Sequence, residues 1–407
     1  MAKSSNVPEI RFAGFTDPWE QRKLGEVLDF LKDGTHGTHK DAKEGPFLLS
    51  AKNIKNGQIQ WGETDRRISW EDYDSIHSAF ELKHGDVLLT IVGSIGETAV
   101  LDNPSGITFQ RSVAYLRPCN NLRSDYLYAA TQSSFFQREL ADRKSTSAQP
   151  GIYLGDLANI PIAKPRSIVE QSEIGSFAST LDNLITLHQR KYDKLVAFKK
   201  AMLEKMFPKE GETVPEIRFA GFTDPWEQRK FSELYKPVSE KNDLSFGRDK
   251  IISVANMYFN QNACVSDDEY LRTYNIMRLG DIAFEGHANK EFSYGRFVEN
   301  YIGDGIVSHI FVVFRPQVPH DVSYWRYAIN NEKLMKQALV RSTKASTMMH
   351  DLVSSDLLNE RIPVPCLSEQ EKIGSFLESL DSLITLHQRK LEVLNNLKKA
   401  MLDKMFV

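Results

Sequence analysis

The amino-acid sequence predicts an α+β protein in which two globular blocks are joined by two long antiparallel helices that form a coiled coil. Three observations predict this architecture. A segment at residues 7–23 recurs without change at residues 214–230. A long stretch with helical periodicity also occurs twice, at about 170–207 and 369–406. Two dissimilar blocks lie between these markers, so the chain is an internal repeat with pseudo-twofold symmetry.

The repeat divides the chain into four parts. The short segment recurs at an offset of 207 residues and the helical stretch at an offset of 199, so the second block is 8 residues shorter. Pro208 and Gly211 end the first helical stretch and begin the link to the second half. The predicted parts are a first domain at 1–167, a first helix at 168–209, a second domain at 210–367 and a second helix at 368–407.

Each long stretch carries an apolar seam at spacings of three and four residues, or multiples of them, as in a helix. Residues 184–191 return letter for letter at 383–390. A helix of this length cannot bury its seam alone, and its twin in the same chain is the simplest partner. His188 and His387, with the lysines three residues after each, interrupt the seam near its middle. Polar residues at such positions fix the register of a coiled coil at a cost in stability, and contact with a partner is the alternative.

The two blocks share a faint skeleton but few residues. Runs of Val, Ile, Phe and Tyr bounded by Gly, Asn and Asp predict strands. The matched strands are 84–92 with 279–285 and 107–118 with 305–316, and helices are predicted over 126–143 and 322–341. Similar helices beside divergent blocks indicate one kind of partner bound twice and two different targets. A recent duplication whose loops drifted faster is the alternative.

Composition places few limits on function. The chain has 41% hydrophobic and 26% charged residues and a formal charge of −3, so any nucleic-acid contact must come from local basic patches or be shared with a partner. Its start lacks the apolar core of a signal peptide, and no apolar run is long enough to cross a bilayer. Cys119, Cys264 and Cys366 are far apart and are expected to be reduced thiols. These features predict a cytoplasmic protein without a membrane segment.

Several motifs are shared by both halves. Pro-x-x-Arg-Phe-x-Gly-Phe-x-x-x-Trp occurs at 8–19 and 215–226, and Glu-Gln-x-x-Ile opens each long helix at 170–174 and 369–373. Asp-Gly-Thr-His-Gly at 33–37 and the Gly-Asp strands at Gly85 and Gly280 accompany them. Together, and duplicated in this order, these residues resemble the specificity subunit of a type I restriction-modification system.

The resemblance implies two target-recognition domains, at 1–167 and 210–367, each reading one half of a split double-stranded DNA sequence. It implies helices that set the gap between the halves and bind two methyltransferase subunits, with restriction subunits added for cleavage. The chain would then be a non-catalytic subunit without its own cofactor. S-adenosylmethionine, ATP and Mg²⁺ would be bound by the partner subunits.

The absence of catalytic motifs fits this expectation. No Asn/Asp-Pro-Pro-aromatic tetrapeptide and no Gly-x-x-x-x-Gly-Lys-Ser/Thr phosphate loop occurs in the sequence. A metal needs three or four ligands, and no Cys or carboxylate cluster joins His36 and His39, so no metal site is predicted. Two alternatives stay open: a coiled-coil protein adaptor without DNA specificity, and an enzyme with an unrecognised site.

Candidate DNA contacts are polar and basic residues on loops, where cations and hydroxyls suit phosphates and amides suit base edges. Gln110 and Arg111 match Ser308 and His309 within paired strands, and Asn53 and Asn256 follow another matched pair of strands. A solvated surface is the alternative for each residue. The predicted DNA contacts are Lys52, Asn53, Gln110, Arg111, Arg143, Lys144, Ser145, Thr146, Asn256, His287, Asn289, Ser308, His309, Arg341, Ser342 and Lys344. The predicted partner contacts on the helices are Gln189, Arg190, Lys199, Gln388, Arg389 and Lys398.

Overall fold

The computed structural model describes residues 6–78, 80–145, 150–263, 265, 267–345 and 350–407. The chain forms two compact units, Met1–Lys191 with His387–Val407, and Tyr192–Leu386. The division falls inside both long helices. Each unit therefore contains one globular block, the first part of the helix that follows that block, and the last part of the other helix.

In the first unit, ten short strands and four short helices are described along with the long helix. The strands are β1 (Glu20–Lys23), β2 (Leu28–Asp33), β3 (Phe47–Leu49), β4 (Ile54–Lys55), β5 (Gln58–Ile59), β6 (Val87–Thr90), β7 (Thr98–Val100), β8 (Ile107–Phe109), β9 (Val113–Pro118) and β10 (Pro161–Lys164). The helices are α1 (Trp70–His77), α2 (Ser124–Thr131), α3 (Ser134–Asp142), α4 (Leu154–Ala158) and the long α5 (Ile168–Lys205), with 3₁₀ turns at Leu24–Val27 and Ala51–Asn53.

The second unit repeats this order with different loops. The strands are β11 (Glu227–Lys230), β12 (Tyr235–Val238), β13 (Ile252–Ser253), β14 (Tyr258–Phe259), β15 (Asn275–Met277), β16 (Ile282–Glu285), β17 (Arg296–Glu299), β18 (Gly305–Val307), β19 (Val313–Pro316), β20 (Thr343–Ala345), β21 (His350–Leu352) and β22 (Arg361–Val364). The helices are α6 (Phe231–Leu234), α7 (Val322–Ala328), α8 (Glu332–Ser342), α9 (Ser354–Asn359) and the long α10 (Leu367–Met405), with 3₁₀ turns at Arg248–Lys250 and Glu269–Thr273.

Both blocks are built on the same antiparallel frame. Four strands pair in the order β2-β9-β6-β7 in the first unit and β12-β19-β16-β17 in the second. In each unit a two-stranded ladder, β1 with β10 or β11 with β22, joins the repeated segment to the strand that precedes the long helix. All four residues of β6 and of β16 are buried, so these strands lie at the centre of each block.

The Gly-Asp and Arg-Pro residues that the two blocks share form a buried ion pair in each block. Arg117 donates from Nε and Nη2 to the two carboxylate oxygens of Asp86, at 2.7 and 2.8 Å. Arg315 donates in the same way to Asp281, at 3.0 and 2.9 Å. Each aspartate is only 1% exposed. The Gly-Asp and Arg-Pro positions thus hold the start of the central strand to the end of its neighbour through a bidentate pair.

Each helix predicted inside a block is broken in two, which corrects the expectation of single helices over 126–143 and 322–341. The first breaks before α3, where the Ser133 hydroxyl accepts from the backbone N–H of Phe136. The second breaks before α8, where the Asn331 side chain accepts from the N–H groups of Lys333 and Leu334. Ser and Asn are strong N-cap residues, so the breaks have a local cause that the apolar pattern obscures.

The repeated segment 7–23 packs against the first turn of the long helix in its own half. Arg11 donates from Nε and Nη2 to Glu170 at 2.6 and 2.9 Å. Arg218, in the second copy, pairs with Glu369 at 2.9 and 2.8 Å. Both glutamates are 1% exposed. A buried carboxylate needs such a partner, so the Glu-Gln opening of each helix and the Arg of each repeated segment belong to one contact.

The end of each long helix completes the core of a block that is distant in sequence. In the first unit, Met405 is 5% exposed and the ring of Phe406 lies 6.1 Å from that of Trp19. In the second unit, Phe207 is 3% exposed and lies 6.1 Å from Trp226. Each block is therefore covered by both helices, one at its beginning and the other at its end.

The helices meet in antiparallel fashion at two histidines within the first unit. His188 Nδ1 and His387 Nδ1 are 2.8 Å apart, so at most one of these nitrogens carries the proton between them. Desolvation, His387 and the nearby Lys390 and Lys191 lower the pKa of His188 below its usual value. Because His188 binds its proton more tightly in the unfolded chain than in the folded one, its contribution to stability is present above about pH 6.5 and is lost as the pH falls below it.

We expect acid to weaken the helix pair through these histidines. The free energy of unfolding should fall more between about pH 7.5 and about pH 5.5 in the native sequence than in a His188→Gln/His387→Gln variant. Denaturant unfolding followed by circular dichroism at the two pH values measures the difference. Equal pH dependence in the two proteins would show that the lowered pKa of His188 does not contribute to stability.

No helix in the described part of the chain is both long and apolar enough to span a bilayer.

Candidate nucleic-acid interface

In the first unit, three candidate loops meet where β6 ends. Ile91, just after β6, donates its N–H to the carbonyl oxygen of Ser112 at 2.9 Å, and its own carbonyl accepts from Ile152 at 2.9 Å. The Ser112 hydroxyl accepts from the N–H of Ala51 at 3.0 Å. These bonds gather the loop at 50–53, the turn at 110–113 and the segments at 143–145 and 151–153. We call this surface, at the C-terminal end of the central strand β6, the β6 edge.

The second unit has an equivalent β16 edge. Phe284 in β16 donates its N–H to Val312 O at 3.1 Å, and Gly286 O accepts from His350 at 2.8 Å. Arg296 donates from Nη2 to Ala255 O at 2.5 Å. The β16 edge therefore comprises residues 255–256, 285–289 and 308–312 and the paired strands β20 and β21. Most candidate residues of the second block lie on it.

Gln110, Arg111, Ser308 and His309 are on turns, which corrects their placement within strands. Val113 donates its N–H to Gln110 O at 3.1 Å, and Phe311 donates to Ser308 O at 3.1 Å. The two turns separate β8 from β9 and β18 from β19. A turn presents its central side chains outward, so this change favours a role in binding.

The two edges carry cations that no other described side chain neutralises. Arg111, Lys144 and Lys344 are exposed, and no described residue supplies an acceptor for their side chains. At the other end of each central strand, Arg117 and Arg315 are fixed on Asp86 and Asp281. The cations at the C-terminal end of each central strand have no described acidic partner, whereas the arginine at the other end is paired with an aspartate. This difference favours the β6 and β16 edges as the places for phosphate contact.

Asn53 and Ser342 are interior residues, which corrects their assignment as candidate DNA contacts. Asn53 is 4% exposed, and its amide nitrogen donates to Gln60 O and Asp65 Oδ1 at 2.9 and 3.0 Å. Ser342 is 0% exposed and donates its hydroxyl to Ala338 O at 2.5 Å. Both side chains hold the local backbone and do not reach the surface.

Other basic candidates are exposed or half-buried but already paired. Lys52 lies 2.9 Å from Asp65 and lowers the pKa of that carboxyl to about 2, with further help from Asn53 and the N–H of Gly62. Arg143 pairs with Glu139 at 2.7 Å and Arg341 with Glu360 at 3.0 Å. Contact with a phosphate by these residues would require exchange of one ionic partner for another.

Three of the remaining candidates lie on the loop after β16 or in the turn after β13, and the other two follow α3 in the sequence. His287 contacts Glu285 through Nδ1, and Asn289 Oδ1 accepts from the N–H groups of Glu291 and Phe292 at 2.8 and 2.9 Å. Asn256 is exposed. Ser145 exchanges two hydrogen bonds with Gly151. Thr146 lies outside the described residues.

Two of the predicted partner contacts have internal roles. Lys199 lies 2.5 Å from Asp381, whose other oxygen accepts from the Tyr327 hydroxyl at 2.6 Å. An equivalent triad joins Lys398, Asp182 and Tyr128 in the first unit, where the Tyr128 to Asp182 distance is 2.7 Å. Each lysine thus ties the end of one helix to the start of the other and to a block. Lys199 and Lys398 stay predicted partner contacts, but binding to a partner would require each lysine to exchange its aspartate for a group of the partner.

The tyrosines and aspartates of these triads were missed in the sequence. Their signal is positional, since Tyr128 and Tyr327 differ by the same 199 residues as Asp182 and Asp381 and as the repeated helices. A tyrosine kept at the helix offset inside otherwise dissimilar blocks indicates a contact with the helices. The other helix candidates, Gln189, Arg190, Gln388 and Arg389, are exposed.

Two units with one frame, different polar edges and exposed cations without a described acidic partner are typical of a protein that binds a polyanion through two distinct surfaces. The chain matches the model of the type I restriction modification DNA specificity domain twice, over residues 16–197 and 224–396. It belongs to that family.

Relatives match along nearly the whole chain. The putative type I restriction enzyme MjaX specificity subunit of Methanocaldococcus jannaschii is 22% identical over 430 residues, covering 98% of this chain and 96% of the relative. The MjaVIII specificity subunit of the same organism is 22% identical and covers 98% and 95%. The crystal structure of the type I restriction-modification S subunit from M. genitalium is similar in fold, with a TM-score of 0.61, 15% identity, and coverage of 98% and 99%.

Proposed function

We propose that the chain recognises a bipartite, asymmetric DNA sequence for a type I restriction-modification complex, with each unit reading one half. The observation that carries this proposal is that the two blocks share a strand framework but differ in the residues of the β6 and β16 edges. The ion pairs and strand order of the two blocks agree, whereas the turn at the β6 edge presents Arg111 and the matching turn at the β16 edge presents His309 and Ile310. A common frame with different loops suits two different half-sites.

The long helices are proposed to set the gap between the half-sites and to bind two methyltransferase subunits. Leu187 and Leu386 are 47% and 44% exposed, and Leu184 and Leu383 are 39% and 43% exposed. Equivalent leucines on the two helices therefore present an exposed apolar stripe beside the exposed Gln-Arg pair of each helix. An identical exposed stripe present twice favours one kind of partner bound twice.

The chain is proposed to be a non-catalytic subunit. S-adenosylmethionine is expected on the methyltransferase subunits, and ATP and Mg²⁺ on the subunits that join for restriction. The complex is expected to act in the cytoplasm. No group of three or more metal-binding side chains occurs among the residues that the structure describes.

The division of labour can be tested with purified subunits. We expect the chain alone to give no heat of binding with S-adenosylmethionine in calorimetry and to transfer no methyl group to DNA. Addition of the methyltransferase partner should restore sequence-specific methylation of adenine or cytosine. Binding of the cofactor by the isolated chain would contradict the proposal. An adaptor without DNA specificity would assemble with the partner yet leave the methylated sequence independent of this chain.

A further inference from the structure

We propose that Ile310 makes a direct apolar contact with the C5-methyl group of a thymine in the second half-site. The inference rests on the proposed function and assigns one position of that half-site to one side chain. Ile310 has a large aliphatic side chain and is therefore not among the polar and basic residues predicted to contact DNA.

Ile310 occupies the tip of the turn at the β16 edge. It is 65% exposed and, with His309, forms the central pair of the turn closed by Phe311 N–H and Ser308 O. Gly, Asn, Asp, Pro and Ser dominate turns, because they adopt the required backbone or bond to it. A β-branched residue at this place has no such reason. Its side chain is stiff, so little rotamer freedom is lost when it binds.

The core does not account for Ile310. The next residue, Phe311, packs against the buried cluster that includes Met277 and Val307, whereas Ile310 belongs to none of the core clusters of described residues. Its apolar surface is turned to solvent beside exposed His309, on the same edge as Lys344. Cations on this edge suit phosphates, and an aliphatic side chain among them suits the one apolar group on a base edge.

The first unit has a different residue at the matching place. Ser112 stands where Ile310 stands, and its hydroxyl is held by the N–H of Ala51 at 3.0 Å. The most exposed large apolar side chain among the described residues of the first block is Tyr153, at 69%, and it also lies on the β6 edge. In the second block that rank belongs to Ile310. Each edge therefore presents a different large, exposed apolar side chain. Because Ile310 belongs to the second unit, its substitution is expected to alter recognition of the second half-site only.

The thymine methyl group can be removed without disturbing base pairing. A duplex with deoxyuridine in place of a thymidine loses only this methyl group, which is distinctive for the A·T pair in the major groove. An aliphatic contact with one methyl group is worth about 3- to 10-fold in affinity, given the free energy of burying one methyl-sized group. Substitution of the correct thymidine should lower affinity by that factor.

The experiment uses the complete complex of this chain with its methyltransferase partner and a duplex containing its methylated site. Each thymidine of the second half-site is replaced by deoxyuridine in turn, and affinity is measured for the native chain and for Ile310→Ala. The native complex should lose about 3- to 10-fold at one position. The variant should bind the normal duplex about 3- to 10-fold more weakly and be indifferent at that position, which is a double-mutant cycle between protein and DNA.

Leu279→Ala supplies a matched control. Leu279 is a 53% exposed aliphatic residue of the same unit, but it precedes β16 and lies at the other end of that strand. This variant should retain the full sensitivity to deoxyuridine. Its exposure also makes a general loss of stability small, as is expected for Ile310→Ala.

Three results would overturn the assignment of Ile310. They are a second half-site without thymine, the absence of any deoxyuridine effect in the native complex, and an Ile310→Ala complex that keeps the native discrimination. In each case the complex still binds and methylates a specific sequence, so the proposed function stands. A complex that shows no sequence preference at all would instead refute the proposed function.

Discussion

Removal of residues 387–407 is expected to unfold the first unit while the second unit remains folded. The deleted residues lie far from the first block in sequence but complete its core. Met405 is 5% exposed, and Phe406 contacts Trp19 and Tyr126 at ring distances of 6.1 and 5.6 Å. The second unit consists of Tyr192–Leu386 and keeps all of its parts.

The expected effect is large because apolar and ionic contacts are lost together. Met405, Phe406 and Leu402 pack against the first core, and burial of such side chains contributes about 1.5–3 kcal/mol each. Leu402 and Phe406 are only partly buried, so the loss of all three removes at most roughly 9 kcal/mol, against a typical domain stability of about 5–15 kcal/mol. Loss of Lys398 also leaves the carboxylate of Asp182, 7% exposed, without its cation.

Hydrogen exchange measured by mass spectrometry on the truncated chain separates the two units. Protection should be lost in β6 and β9 and retained in β16 and β19. Val393→Ala in the full chain is the matched control, because Val393 belongs to the same part of α10 but is 65% exposed. Native protection of the first block in the truncated chain would show that the C-terminal segment does not support it.

The long helices could be predicted closely from the sequence. Stretches expected at about 170–207 and 369–406 are α5, Ile168–Lys205, and α10, Leu367–Met405. The apolar seam continues over many turns and recurs in the second half, and this pattern predicts a long helix in each half. The shorter helices were less well predicted, since Ser133 and Asn331 act as caps inside apolar runs.

The sharing of the helix ends between the units could not be predicted. Periodicity indicates which residues of a helix face an apolar surface, but it does not indicate which surface that is. Met401 and Met202 both belong to the seams, and only the fold shows that each helix covers one block at its beginning and the other block at its end. A division at helix boundaries therefore separates residues that pack together.

Candidate site residues were limited by a similar ambiguity. Asn53 and Arg111 are both polar residues near strand ends, yet one is 4% exposed and holds its own loop while the other is free at a turn. Residue type indicates what a side chain can bind, whereas exposure depends on register and on turns of two or three residues. Lys199 and Lys398 differ from exposed lysines for the same reason, because their acidic partners lie far away in sequence.

Duplication of one block is expected to make the recognised sequence symmetric. Replacement of residues 24–167 by residues 231–366 retains Arg11, Trp19 and Glu170, which hold the repeated segment to the helix. The transplanted block carries Tyr327, which contacts Asp381 in its own unit and meets the equivalent Asp182 in the chimera. Both positions would then carry the same β16 edge, on helices that run antiparallel.

The methylated sequence of this chimera tests most directly whether each block reads one half-site independently. The chimera and the methyltransferase partner are expressed in cells, and methylated bases in the genome are mapped by sequencing, with the native chain as control. We expect the second half-site to be retained, the first to be replaced by the inverted copy of the second, and the gap to persist. Methylation of the original asymmetric sequence, or of a sequence that contains neither native half-site, would contradict independent reading by the two blocks.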